Sequence, residues 1–327
     1  MSYNVYDKIF RNGYVPVLEN LSPKTAAAVA EAMKVGGLDL VDVSLAGKQA
    51  LSAVKEIAAK CPDVVVGVSG VSSVEECAKA LEAGAKFVIS EGVDVDCVSA
   101  CAAQGALLIP RCSSVAQVRA AQSAGLKLVD LCYESFGNDM AAVKQVVTPF
   151  VDMKFVISLG ENQQYMDECL PGIFVHAVRG SWISPKGEVE PHQYAAITMA
   201  AEDTVTAVFG FEMYHIGINM ENAESACDLC DELNSAFRFK LRDNGPSSRF
   251  AGIGVEVMKR IYRGKYGHFA VRTNNCDRAI LHLNEKGYEF DMSTAYISDG
   301  RIYTVYLDEK HSFGGFAVHL LQKAFNY

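Results

Sequence analysis

The sequence predicts an α/β protein with two domains: a closed barrel of eight parallel strand–helix units over residues 1–209, then an α+β domain of paired βαβββ modules over 210–327. Three observations carry this reading. Short apolar runs alternate with helical stretches from residue 15 to residue 178, at spacings of about twenty residues. Near residue 210 the alternation gives way to a strand, a helix and then further strands, and that pattern occurs twice. At 327 residues the chain is also longer than one hydrophobic core usually serves.

The apolar runs at 15–18, 40–45, 64–68, 87–89, 107–109, 128–132, 155–157 and 174–178 read as the eight strands. Helices between them end at Gly36-Gly37, Gly84, Gly105 and Gly125, each a few residues before the next strand, where a C-terminal cap belongs. Ser22 before Pro23 and Ser72-Ser73 before Glu75-Glu76 mark helix starts, the second with acidic residues facing the positive end of the dipole. Eight such units in sequence call for a (β/α)8 TIM barrel. An open doubly wound sheet fits less well, because no Gly-x-Gly-x-x-Gly follows the first strand.

Barrel chemistry sits at the C-terminal strand ends. There the sequence places Asp42 and Ser44, Ser69, Ser90 and Glu91, Arg111, Asp130, Ser158 and Arg179. Asp42, Glu91, Arg111 and Asp130 read either as a catalytic set or as a salt-bridge network on the rim. Beyond the eighth strand, Pro185, Gly187 and Pro191 lead into an Ala-rich helix that Gly210 ends, the closing helix of the barrel.

In the second domain, module one runs through 212–219, a helix at 222–234, then 237–241 and 253–261. Module two runs through 268–273, a helix at 275–286, then 288–292, 302–307 and 316–321. His215-Ile-Gly-Ile opens the first as His268-Phe-Ala-Val opens the second, and Val255-Glu256 closes the first as Val318-His319 closes the second. The stretch 252–271 joins the copies and is expected to set Glu256 and His268 on neighbouring strands, where a carboxylate and an imidazole could share a metal. A single strand histidine is ordinarily packed or exposed. Four ligand-type side chains at equivalent positions, His215, Glu256, His268 and His319, point to a common site.

Composition narrows the function classes. Apolar residues make up 50% and charged residues 21%, which suits a soluble globular enzyme with little disorder. A net charge of -9 leaves no basic surplus to release phosphate counterions, which argues against nucleic acid or an anionic membrane as partner. Residues 1–14 carry no signal-peptide core and no run reaches bilayer length, so the expected compartment is the cytoplasm. The ten cysteines are scattered and read as reduced thiols; Cys227 and Cys230 fall in a helical pattern and read as packing.

Residues 14–185 resemble the 2-keto-3-deoxy-6-phosphogluconate / 4-hydroxy-2-oxoglutarate aldolases, on the runs VPVL, KVGGLDLVDVSL, EAGAKFVISEG, PFVDMKFVISLGEN and VRGSWIS. The resemblance implies a barrel lysine that forms a Schiff base with a 2-keto acid, a strand-two glutamate for proton transfer, and a phosphate site at the glycine-rich end of strand seven and the G-S-W turn. Asp42 stands where that glutamate belongs, Ala46 where an arginine belongs, and Asp130 where the lysine belongs. The phosphate region keeps Gly160, Gly180 and Ser181, with Leu159 and Arg179 in place of paired glycines. A carboxylate cannot form an imine. Lys86, Lys127 and Lys154 lie at strand beginnings, the wrong end, while Lys48 lies past strand two within reach of the mouth. The catalytic candidates of the barrel are thus Asp42, Arg111 and Asp130, and its substrate candidates Gly160, Arg179, Gly180 and Ser181.

Residues 211–325 resemble the vicinal oxygen chelate family, which includes glyoxalase I, on the segments H-I-G-I, V-E-V, G-H-F-A-V and G-G-F-A-V-H-L-L. That resemblance implies a divalent metal between the modules, held by His215, Glu256, His268 and His319, and a homo-oligomer. Three imidazoles with one carboxylate suit a transition metal, Zn, Ni, Co or Fe, with Glu256 as candidate base. The expected function is an enzyme of 2-keto or hydroxy sugar-acid metabolism in which the metal polarises a carbonyl or enediolate, giving isomerase, epimerase or lyase chemistry. The alternatives are an aldolase working through a relocated lysine or a metal, and a non-catalytic sugar-phosphate sensor. The expected ligand in each case is a small keto or hydroxy acid, phosphorylated or not.

Overall fold

The computed structural model describes residues 4–324. Its contacts divide the chain into two units, one up to Val208 and one over Phe209–Ala324.

In the first unit, β1 (Tyr14–Leu18), β2 (Leu40–Ser44), β3 (Val65–Val71), β4 (Phe87–Ser90), β5 (Leu107–Cys112), β6 (Leu128–Cys132), β7 (Lys154–Gly160) and β8 (Val175–Gly180) pair in parallel and in sequence order, and β8 returns to β1 to close the barrel. The helices are α1 (Val5–Asn12), α2 (Pro23–Val35), α3 (Ala50–Lys60), α4 (Val74–Glu82), α5 (Val95–Ala103), α6 (Val115–Ser123), α7 (Met140–Val147), the single turn α8 (Met166–Cys169) and α9 (Tyr194–Phe209). Ser22, Ser73, Asp94, Ser114 and Asp139 each accept a hydrogen bond from a first-turn amide of the helix they precede. These caps satisfy donors that have no partner within the helix.

Alternation along the strands builds two cores. One set of side chains, including Val41, Val43, Val129 and Val178, packs outward against the helices. The other points inward, and its lower layer is apolar: Val15, Leu40, Ile109, Leu128, Val156 and Ala177. Two residues further along the same strands, the inward positions turn polar, with Asp42, Arg111, Asp130, Ser158 and Arg179. The period of the strand therefore delivers the polar layer to the mouth. Helix α1, which the sequence reading did not foresee, brings Ile9 into the lower layer. It is only eight residues long, about two turns, so its amphipathic pattern has few repeats from which to be read.

The second unit holds β9 (Glu212–Asn219), α10 (Ala223–Phe237), β10 (Leu241–Asn244), β11 (Ser248–Ala251), β12 (Val255–Met258), β13 (Gly267–Thr273), α11 (Cys276–Glu285), β14 (Phe290–Ser298), β15 (Arg301–Leu307) and β16 (Phe316–Gln322). These are two βαβββ modules in one eight-stranded sheet of order β10-β11-β12-β9-β13-β16-β15-β14. The opening strands β9 and β13 pair antiparallel at the centre. Glu256 and His268 are not on neighbouring strands, because β9 lies between β12 and β13 and pairs with both. Residues 237–241, read as a strand, instead hold the last residue of α10, an irregular connection and the first residue of β10. β11 was missed because it follows directly on the turn residues Gly245-Pro246-Ser247. Cys230 is buried under α10 with Ala226, Ala251 and Val257, and all ten cysteines are free thiols. Among the described residues, no helix is long and apolar enough to cross a membrane.

Gly67 faces the barrel interior, where a Cβ would lie 2.2 Å from the Phe87 ring. Phe87 is wholly buried among the lower-layer residues. Gly67→Ala is therefore expected to cost about 1–3 kcal/mol of stability through overpacking, read as a lower melting temperature by calorimetry.

Candidate functional site

The polar layer of the barrel is one connected network. Arg179 reaches across from β8 to β2, where Nε and Nη2 donate to Asp42 Oδ2 at 2.8 and 2.5 Å. Nη2 also donates to Ser69 Oγ on β3 at 2.7 Å, and Nη1 to Ser158 Oγ on β7 at 3.2 Å. Ser158 Oγ in turn donates a hydrogen bond to Asp130 Oδ1 at 2.5 Å. On the other side of Asp130, Arg111 Nε donates to Oδ2 at 3.0 Å, and Arg111 Nη1 reaches Glu91 at 2.9 Å. Asp42 and Asp130 are fully buried. Burial opposes the charge of Arg179, but the Asp42 and Asp130 carboxylates outweigh it and hold the guanidinium above its ordinary range. Arg111 is raised for the same reasons.

Asp42, Arg111 and Asp130 are thus brought together as the sequence suggested, with Glu91 at the rim. Arg179, a substrate candidate in the sequence, instead spends its guanidinium on partners from β2, β3 and β7 in the barrel interior. Ser69 and Ser158, noted in the sequence only as strand-end residues, prove to be links of the network. The remaining substrate candidates meet at the ends of β7 and β8. Ser181 N–H donates to Gly160 C=O at 2.8 Å, and Tyr14 donates its hydroxyl proton to Gly180 C=O at 2.7 Å. The Trp182 ring lies on the bare backbone of Gly180 and packs against Tyr14. Trp182 Nε1 and Ser184 Oγ are buried with no hydrogen-bond partner among the described residues.

Among the described residues, two lysines stand in loops that follow barrel strands. Lys48 is exposed in the turn after β2, and Lys186, in the loop after β8, pairs with Glu161 just past β7. Lys186 was not picked out from the sequence, where it sits in a Pro/Gly-rich stretch with no strand to place it.

In the second unit, His215 on β9, Glu256 on β12, His268 on β13 and His319 on β16 come together and are all buried. Glu256 Oε2 lies 3.2 Å from Nε2 of both His215 and His268, and Ser248 donates to Oε1 at 2.5 Å. Ring nitrogens of His215, His268 and His319 all lie within 4.8 Å of one another, the separation that a shared ion would need. His268 lies flat on β9 because residue 217 is glycine: a Cβ there would sit 2.1 Å from the ring. Tyr306 packs on His319 at 4.8 Å, and Thr304 Oγ1 lies 3.0 Å from His319 Nδ1. Ser248, Thr304 and Tyr306 were missed; Ser248 lay in the unforeseen strand, and the other two carry no motif.

The Aldolase model "KDPG and KHG aldolase" matches residues 6–200, more than half of the chain. The chain belongs to the KDPG and KHG aldolase family. A 2-dehydro-3-deoxy-phosphogluconate aldolase of Pseudoalteromonas atlantica is 30% identical over 210 residues, 62% of this chain and 94% of that protein. The KHG/KDPG aldolase of Escherichia coli is 29% identical over 192 residues, 58% of this chain and 90% of that protein. Among solved structures, the 2-keto-3-deoxy-6-phosphogluconate aldolase of Zymomonas mobilis with 3-phosphoglycerate superposes with a TM-score of 0.55 at 28% identity, covering 62% of this chain and 95% of that one.

Family membership overturns one expectation from the sequence, the divalent transition-metal cofactor. KDPG and KHG aldolases work through a covalent adduct between an amine and a keto acid and need no metal. Such an adduct of pyruvate, a carbinolamine, was captured in the KDPG aldolase of Legionella pneumophila.

The buried cluster makes the second unit sensitive to acid. Burial first, then His268 and His215, push His319 down to about 3. The unfolded histidine titrates near 6.5, so between those values the unfolded chain binds more protons than the folded one. The stabilisation is complete above the unfolded value and is lost as pH falls. Glu256 has the same sign: burial would raise it, but hydrogen bonds from His215, His268 and Ser248 prevail and depress it far below the usual carboxylate range. Lowering the pH from 7 to 5 is expected to destabilise this unit by on the order of 2 kcal/mol through His319 alone. Unfolding followed against pH should show the slope, and His319→Gln should flatten it.

Proposed function

We propose that the protein is a carbon–carbon lyase of the aldolase type that acts on a small 2-keto acid at the mouth of its barrel. The match of residues 6–200 to the KDPG and KHG aldolases carries this reading. Trp182 Nε1 and Ser184 Oγ add to it as buried donors without partners, suited to an anionic group such as a phosphate at the ends of β7 and β8.

The amine cannot come from position 130, where Asp130 is buried between Arg111 and Ser158. Lys48 and Lys186 stand in the loops that leave β2 and β8. Either would attack the keto carbon and expel water. The hydroxyl two carbons from the iminium gives its proton to solvent water, the iminium accepts the electron pair of the breaking carbon–carbon bond and an aldehyde leaves; the enamine takes a proton back from water, and hydrolysis releases the keto acid and the free amine. The family match supports the aldolase alternative better than the isomerisation by a metal-polarised carbonyl expected from the sequence.

A second reading, binding without chemistry, is favoured by the network itself: Asp42, Asp130, Arg111 and Arg179 pair with one another and fill the barrel centre. Borohydride reduction in the presence of pyruvate separates the two. The lyase reading predicts a covalent adduct on Lys48 or Lys186, abolished by changing that lysine to alanine, and release of pyruvate from 2-keto-3-deoxy-6-phosphogluconate or 4-hydroxy-2-oxoglutarate. Absence of both adduct and pyruvate leaves the binding reading.

A further inference from the structure

Two arginines stand in the polar layer of the barrel, and they use their donors differently. Arg179 is 9% exposed, and its Nε, Nη1 and Nη2 all donate to Asp42, Ser69 or Ser158. Arg111 is 30% exposed. Its Nε is fixed on Asp130, a fully buried carboxylate that also accepts from Ser158. Its outer edge, the Nη1–Nη2 pair, meets Glu91 through Nη1 alone at 2.9 Å, and Nη2 makes no hydrogen bond among the described residues. Such an edge matches both oxygens of a carboxylate, so one oxygen on one nitrogen leaves half of the fork unused.

Glu91 is the looser partner. It follows β4 directly, its side chain is 42% exposed, and that side chain has no partner but Arg111 among the described residues. The backbone around it is held. The Glu91 amide donates to Val71 C=O at 2.8 Å, and Ser90 Oγ donates to Gly92 C=O at 2.6 Å. Gly92 turns the chain with φ +115°, a conformation that residues with a side chain rarely adopt. The Glu91 carboxylate can therefore leave Arg111 by side-chain rotation alone, with no change in the chain path. An ion pair exposed on both sides holds weakly, whereas breaking the pair to Asp130 would strand a buried charge.

We propose that Arg111 receives the carboxylate of the 2-keto acid, and that Glu91 is a built-in competitor that holds the same guanidinium until the acid displaces it. This rests on the 2-keto-acid site proposed for the mouth and names the group that recognises the acid there. The exchange replaces one anion by another, so no charge is left unmatched. The incoming carboxylate takes Nη2 as well as Nη1, and Glu91 turns to solvent. In a chain of net charge -9, a free acid needs a local cation. Lys48 and Lys186 are the candidate amines of the reaction and Arg179 is engaged in the interior, which leaves Arg111 for the acid. Neither residue reacts: Arg111 binds, and Glu91 sets the affinity.

Calorimetric titration of the full chain with pyruvate, and with its neutral amide pyruvamide, tests the assignment. The wild-type chain is expected to bind pyruvate more tightly than pyruvamide. Glu91→Gln leaves the outer edge of Arg111 without its competing anion, and is expected to tighten pyruvate about two- to fivefold, the strength of an exposed ion pair, with pyruvamide unchanged. Arg111→Lys keeps a cation beside Asp130 but has no fork; it is expected to weaken pyruvate at least about tenfold and to erase the preference over pyruvamide. Circular dichroism reports that the variants remain folded, and Glu91→Gln, at an exposed position, carries the test by itself if Arg111→Lys does not fold. Pyruvate bound equally by wild type and Glu91→Gln, or a gain shared by pyruvamide, overturns the proposal and leaves the lyase reading standing, as borohydride trapping on the same chains would show. Pyruvate bound by none of the chains overturns both.

Discussion

The contact between Arg179 and Asp42 is the constraint on which the barrel mouth depends. It spans the closed sheet from β8 to β2, and both groups are buried. A guanidinium taken out of water needs its charge matched and its donors engaged, and here Asp42, Ser69 and Ser158 supply four hydrogen bonds. Through Ser158 the same system reaches Asp130, and through Asp130 it reaches Arg111 and Glu91. Two arginines answer three acids, so no member can be replaced without leaving another exposed to an uncompensated charge.

That arrangement explains how an aldolase-family barrel persists without a lysine at position 130. A lone carboxylate there would be expensive to bury, and a lone arginine at position 179 equally so. Together they form a self-consistent set within the polar inward layer. In the lyase proposed above, the chemistry of the family moves outward, to Lys48 or Lys186 on the loops beyond β2 and β8, above this ionic layer.

Much of this was legible in the sequence because strand periodicity is strict. Leu40, Leu128 and Ala177 point inward, so Asp42, Asp130 and Arg179, two residues further on, must point inward as well. The pairing of Arg179 with Asp42 was not legible: 137 residues separate them, and only closure of the barrel makes them neighbours. The module repeat likewise brought His215, Glu256, His268 and His319 into one cluster. The order of strands was misread there, because the repeat fixes which strands exist but not that the two opening strands pair at the centre. β11 and with it Ser248 stayed hidden behind a Pro/Ser turn. The metal expectation failed for a different reason: it was taken from the donor set of one domain, whereas the barrel family conducts its reaction through an amine.

Equilibrium unfolding of Asp42→Ala, Arg179→Met and the double variant tests the central claim most directly. If the ion pair organises the mouth, each single change costs about 3–5 kcal/mol, because it strands a buried charge, and the double variant costs no more than the worse of the two. Additive losses, or single changes with negligible cost, would contradict the account.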